Sequence, residues 1–378
     1  MEKLNLVGYF GRTETTREHN GYTHSIGRVL TIVILGSLCG LDTVEKIHQW
    51  AETQRTREFL KEHFAIMTIP TYQWLENLLS IVNPESLNEL FTNWVTLLLP
   101  ESLKNLTIAF DGKTICSTGK MNSYDKPLHI LSAYLCELGL TLSQKTVSEK
   151  SNEIPAMREL LCLIKIHGCM IVADALHCQT ETAEAIVKGG GDYLLNVKGN
   201  QETLEQDIEE YVEDETLRSE MQSASTTELN GGRIEKRKAF VSHDVSWMEA
   251  HLPKWLNLSC FGAIHRQFTV KGDKDESTTN EWHYFISSRQ LTAEELLMYA
   301  RNEWKIESMH WLLDVHFNED NCRVRHSNIN QNLNIIRKIV LNYVRKYKNE
   351  SRAKIPFSKL MFACLLDCEK ILDIINWK

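Results

Sequence analysis

The sequence has no CxxC pair. Its ten cysteines are scattered, and the closest two, Cys364 and Cys368, lie four apart in the apolar stretch LMFACLLDCEKIL. Four residues is one helical face, so this pair reads as core, and the spacing argues against a zinc site. Free thiols fit a reducing cytosol. No apolar run is long enough for a membrane span: the longest, VLTIVILGSLCGL at Val29 to Leu41, contains Thr, Gly and Ser and reads as a buried helix. The N-terminal MEKLNLVGYFGRTE lacks the apolar core of a secretory signal, so a cytoplasmic, nucleoid-associated location is expected. Internal repeats and low-complexity segments are also missing. So is an excess of positive charge, since the net charge is −8.

What is present is an ordinary globular composition, 43% hydrophobic and 24% charged, over 378 residues, enough for two or three domains. The net charge hides an asymmetry. Residues 201–230 carry ten acids against Arg218, and residues 321–360 carry ten bases against Glu350. The acidic run reads as a solvated helix face. The basic segment, with Arg323, Arg325, Arg337, Lys338, Arg345 and Lys346, is either a solvated face or a surface for DNA phosphates.

Residues 1–100 read as an N-terminal all-helical domain after a polar start. Thr43 is a candidate N-cap, and Pro70 and Pro84 open later helices. Helix, short turn and helix is compatible with a helix-turn-helix reader of DNA ends and equally with a small bundle. From Leu106 the period changes. LTIAFDGKTI, HILSAYLC and LTLSQKTVS form an antiparallel meander. A helix follows with Asn152 or Ser151 as cap and Gly168 as its stop, then CMIVADA, a helix, and DYLLNVKG. This predicts an α/β fold with a mixed five-stranded sheet and flanking helices, spanning 101–378. An insertion at about 201–290 contains strand-like pieces.

Asp111 follows an apolar run and precedes Gly112. Alone, Asp-Gly reads as a turn. A right-handed crossover, however, lays the strand ending at Asp174 parallel to the strand ending at Asp111. Two strand-end carboxylates side by side can share a divalent cation. In the helical stretch 291–317, Trp304, Glu307 and Trp311 share one stripe, expected to face the core. Glu307 is then a buried acid and the natural third ligand, with Glu303 and Asp314 as competitors. Two Asp and one Glu can hold two Mg²⁺ ions for phosphodiester chemistry.

These residues carry a resemblance. FDGKTI, EKSNEIPAMRELL, VADALHCQTETAEAIVKGGGDYLLNVKGNQ, GGRIEKR and RNEWKIESMHWLLDVHFNEDNCRVRH, in this order, resemble the DDE transposases of bacterial insertion sequences, in the H-repeat-associated group. The resemblance covers nearly the whole chain. It implies a ribonuclease-H-like core with catalytic, metal-binding Asp111, Asp174 and Glu307. It implies Mg²⁺, with Mn²⁺ as a substitute, and cleavage at element ends followed by 3′-hydroxyl attack. The implied partners are the terminal inverted repeats and target DNA, bound by a homo-oligomer, with no membrane and no nucleotide cofactor. Lys198 and Asn200 are placed near the site, and His177 follows Asp174 by three. Some positions depart from the pattern: Glu303 stands where His is usual, Ser308 where Asn is usual, and Gly231 where His is usual. The alternatives are a weakened or domesticated DNA-binding relic and a stand-alone metal-dependent nuclease of the same fold.

Overall fold

A computed structural model describes residues 5–16, 24–115, 118, 127–147, 152–230, 233–270, 278–322, 324, 326–352 and 354–376. Six helices come first: α1 (Leu6–Phe10), α2 (Ile26–Leu38), α3 (Val44–Glu52), α4 (Gln54–Phe64), α5 (Tyr72–Ile81) and α6 (Pro84–Leu98). Their starts follow local chemistry. Ser25, Thr43, Thr53, Thr71 and Asn83 each cap the helix that follows them, and Pro84 fills the first turn of α6. The long apolar run becomes α2, buried on nearly every side. Among the described residues, no helix is long and apolar enough to cross a membrane.

The meander is β1 (Thr107–Ile115), β2 (Leu128–Leu135) and β3 (Leu140–Val147). Then come α7 (Glu153–Leu163), β4 (Met170–Ala173), α8 (Thr180–Lys188) and β5 (Asp192–Val197). The crossover places β4 parallel to β1, from Thr107↔Met170 to Phe110↔Ala173, and β5 parallel to β4. Two boundaries differ from expectation. The α7 helix stops at Leu163 rather than at Gly168, which sits at positive φ in the turn before β4. Strand β1 does not end at Asp111: it continues to Ile115, paired with β2 through Asp111↔Ser132 and Gly112↔Leu131. Asp-Gly here is mid-strand, not a turn.

The sheet has nine strands where five were expected. After α9 (Glu202–Glu213) and α10 (Glu215–Glu220), the inserted residues form β6 (Gln222–Asn230), β7 (Arg233–Ser242), β8 (Cys260–Val270) and β9 (Thr278–Ser287). Strand β9 pairs antiparallel with β5 from Leu194↔Ser287 to Val197↔Tyr284, so the order is β3-β2-β1-β4-β5-β9-β8-β7-β6. The open edge of β5 offers unpaired N–H and C=O groups, and β9 satisfies them. The insertion thus extends the core sheet.

The C-terminal part is helical: α11 (Ala293–Glu303), α12 (Lys305–Phe317), α13 (Ser327–Ser351), α14 (Phe357–Leu366) and α15 (Glu369–Ile375). Helix α13 is buried over most of its length and joins regions far apart in sequence. Its Asn332 donates to the carbonyls of Leu79 and Val82 at the end of α5. Its Tyr343 ring lies 4.5 Å from that of Trp94 on α6. Its Asn342 both accepts from the N–H and donates to the C=O of Thr141, closing the outer edge of β3 as another strand would.

Candidate active site

The last parallel pair between β1 and β4 is Phe110↔Ala173, so Asp111 and Asp174 are the next residues on neighbouring strands. Asp174 leaves its strand at once. Its Oδ1 accepts the Leu176 N–H at 3.1 Å and caps the short 3-10 turn Ala175–His177. Helix α11 packs on β1 and β4, and α12 on β1. The end of α11 is pinned where the buried Asn302 donates to Thr107 Oγ1 at 2.8 Å and Glu137 Oε1 at 3.0 Å. The chain then breaks at Trp304. This puts Glu303 in the last turn of α11 and Glu307 in the first turn of α12.

The result is a cavity of about 680 Å³ lined by Asp111, Asp174, Glu303 and Glu307, with Lys198, Arg237, Arg266, Arg301 and Lys305 also on its wall. Its acids stress one another. Burial, then the charges of Asp174, Glu153 and Glu307, push Asp111 up to about 6 against the opposing Gly112 backbone hydrogen bond. Burial, then Asp174 and Asp111, push Glu303 up to about 7, with Lys198 opposing. An all-oxygen donor set under mutual repulsion suits a hard divalent cation. Among the described residues, no three His, Cys, Asp or Glu side chains stand close enough together to hold a metal ion. The acids line one cavity without closing to ligation distance.

The stripe expected to face the core does the opposite. Trp304 and Trp311 are 56% and 59% exposed, and Glu307 is exposed, while Ile306, Met309, Leu313 and Phe317 fill the interior. The three residues do share one face of α12, but the opposite face carries the apolar residues Ile306, Met309, Leu313 and Phe317 and is the one that packs inward. Glu307 reaches the cavity from the solvent side. Asp314, a competitor for the third position, is committed elsewhere in an ion pair with Lys113.

Lys198 lines the cavity. Asn200 acts on the backbone instead. Its amide donates to the carbonyls of Ala175 at 2.7 Å and Cys178 at 3.4 Å, tying the turn after β5 to the turn after Asp174. Of the basic segment, Arg323 and Arg325 lie outside the described residues. Arg337 and Lys338 are only 3% and 2% exposed, which corrects their assignment to a DNA surface. They face inward because the polar residues of α13 meet a buried charge network. Arg337 lies 3.5 Å from Glu319, which also accepts from Asn334 at 2.7 Å and pairs with Lys113 at 3.4 Å. Lys338 donates to Ser132 Oγ at 2.8 Å, and burial lowers its pKa to about 7. Arg345 and Lys346 are half-buried, one over the Phe357 ring and the other paired with Glu350 at 2.8 Å.

Of three residues behind the acids, Glu153 and His129 were not singled out from the sequence, and His177 was noted only for its place three residues after Asp174. Glu153 in the first turn of α7 is 3% exposed, and its Oε1 lies 2.7 Å from His129 Nε2. Its Oε2 lies 3.5 Å from His177 Nε2, which is 4.0 Å from Asp174 Oδ1. Burial raises the Glu153 pKa, but the hydrogen bond with His129 and the nearby His177 ring outweigh it and hold the carboxyl at about 2. The signal was available: Glu153 shares the apolar stripe of Ala156, Met157 and Leu160. A fourth residue, His310 on α12, sets Nδ1 3.4 Å from Asp111 Oδ2. Burial, with Lys338 and Lys113, lowers its pKa to about 3, so its ring is neutral.

A family model described as "Transposase DDE domain" matches residues 104–343, and one described as "DDE_Tnp_1-associated" matches residues 7–95. "H repeat-associated putative transposase YhhI" of Escherichia coli K12 is 33% identical over 358 residues, 92% of each chain. "Putative protein YbfL" of the same strain is 33% identical over the same length, again 92% of each chain. A solved piggyBac transposase synaptic complex with hairpin DNA overlays 97% of this chain and 78% of that one. Its TM-score of 0.45 and 10% identity are too low to carry an argument.

Proposed function

The chain belongs to the DDE transposase family, and from that premise we propose that it is an insertion-sequence transposase. In this proposal it cuts DNA at element ends and joins the freed 3′-hydroxyl to target DNA, with Asp111, Asp174 and Glu307 holding Mg²⁺. The observation that carries the proposal is the convergence of these acids, from β1, the end of β4 and α12, on one cavity that also presents basic side chains. The order β3-β2-β1-β4-β5, three antiparallel strands followed by two parallel ones, supports a ribonuclease-H-like core.

Bound Mg²⁺ would supply activation of a water or 3′-hydroxyl and charge stabilisation at the leaving oxygen. The chain's own residues do the remaining work. Lys198 binds a DNA phosphate at the cavity wall. Asn200 holds the turn that carries Asp174. Glu303, protonated at neutral pH more readily than an ordinary glutamate, can hold a proton beside the reacting phosphate. His310 meets Asp111 with its Nδ1 edge and limits how the carboxylate can turn. Residues 1–100 take the role of reading the element ends, on a homo-oligomer that brings two ends together.

The test is a supercoiled plasmid carrying the cognate terminal repeats, incubated with Mg²⁺ or Mn²⁺. Nicking and strand joining are expected from the wild type. Asp111→Asn, Asp174→Asn and Glu307→Gln should abolish both while retaining DNA binding in a gel shift. Full activity in any one variant removes that residue from the site. Hydrolysis without joining would favour the stand-alone nuclease.

A further inference from the structure

Glu153, His129 and His177 form a closed polar cluster directly behind the acids. All three are buried, at 3%, 6% and 1% exposed. Neither ring nitrogen of His177 has a hydrogen-bond partner, although both are fully buried. A buried ring without a hydrogen bond is costly, so its position between Glu153 and Asp174 calls for a reason. The cluster also meets β1. A Cβ on Gly112 would lie 2.6 Å from both Glu153 Oε2 and His129 Nε2, so the backbone beside Asp111 rests directly on it. One side of the cluster touches the strand carrying Asp111, and the other approaches Asp174. The same two aspartates border the proposed cation.

We propose that Glu153 is a positioning residue for the two aspartates. It seats β1 at Gly112 through its pair with His129, and it holds His177 beside the capping oxygen of Asp174, so that both carboxylates are set before a divalent cation enters. This rests on the proposed function of the site. Partners one layer behind metal ligands fix ligand orientation, and losing one weakens metal affinity about 10–100-fold.

The experiment measures Mn²⁺ binding to the full-length, DNA-free protein by titration calorimetry, with folding checked by circular dichroism. Glu153→Gln keeps the shape and removes the charge, and its Mn²⁺ Kd should rise at least tenfold. In plasmid nicking, the Mn²⁺ concentration for half-maximal rate should rise in parallel, with most of kcat recovered at saturating Mn²⁺. If Glu153→Gln does not fold, His177→Asn is measured instead. It leaves the Glu153–His129 pair intact and should weaken Mn²⁺ to a similar degree. A folded variant with wild-type Mn²⁺ affinity overturns the inference alone. A wild type that binds no Mn²⁺, or whose binding survives Asp111→Asn and Asp174→Asn, overturns the reading of the site and this inference with it.

Discussion

Gly112→Ala is the sharpest structural test of the site. The added methyl would sit 2.6 Å from Glu153 Oε2, 2.6 Å from His129 Nε2 and 2.7 Å from Glu153 Cδ. None of these can swing aside into water, because both side chains are buried. Either β1 moves away from α7 or the 2.7 Å Glu153–His129 contact opens. Overpacking a tight core costs about 1–3 kcal/mol and losing a hydrogen bond to a charged group about 1.5–3 kcal/mol, so about 1–3 kcal/mol is expected whichever of the two gives way. That is a measurable part of the roughly 5–15 kcal/mol that keeps a protein folded. The assay is urea denaturation at neutral pH, repeated in a Glu153→Ala background. With Glu153 cut back, its two close contacts go and His129 gains vacated space to move into, and the same glycine substitution should cost less than about 1 kcal/mol there, since Ala is otherwise the better strand residue. A loss below about 1 kcal/mol in the wild type, or an equal loss in both backgrounds, would refute the reasoning.

Lys338→Met tests the buried charge network by pH. Lys338 has its folded pKa lowered from 10.5 to about 7. Between those values the unfolded chain binds the extra proton, so stability contributed by this group rises with pH, by at most about 1.4 kcal/mol per unit. The methionine variant should lack that part of the slope and be more stable near pH 7, as seen in denaturation midpoints from pH 7 to 10; identical slopes would place Lys338 in water. Arg337→Met should destabilise by about 1–3 kcal/mol by removing one partner of the buried Glu319, which keeps Asn334 and Lys113, yet leave the salt dependence of DNA binding unchanged. Lys198→Ala should reduce the slope of log affinity against log salt by about 1 in fluorescence anisotropy, with little effect on stability. Protons compete with the cation for Asp111, which titrates at about 6, so Mn²⁺ affinity should fall as pH drops below that value. A flat affinity from pH 5 to 7 would remove Asp111 from the ligand set.

Much of the site was legible because it follows from strand order. A right-handed crossover from the meander through α7 lays β4 parallel to β1, and the acids after Phe110 and Ala173 then fall side by side. Other features depended on contacts that no local pattern contains. Asp-Gly looks like a turn because glycine usually supplies backbone freedom. Here it supplies the missing methyl that lets Glu153 and His129 approach. The basic run of α13 resembles a surface stripe in charge alone. The asparagines between the bases carry the opposite message, since Asn330, Asn332, Asn334 and Asn342 are all buried. Two of the four inserted strands, β7 and β9, read as strand-like pieces, whereas β6 and β8 were not recognised, and the edge the insertion joins is decided by β5. The tryptophan stripe exists but faces outward, because the opposite face of α12, with Ile306, Met309, Leu313 and Phe317, supplies the core.

The reach of α13 bears on how such a chain can be inherited. Its asparagines close the carbonyls of α5, its Tyr343 packs on α6, its Asn342 finishes the sheet edge and its Lys338 reaches β2. The front helices are therefore moulded to a surface encoded about 250 residues later. A recombinant that exchanged the front for that of a distant relative would have to exchange α13 as well. The front helices and α13 are expected to travel together, and hybrids joined near residue 100 should be rare among descendants that still fold.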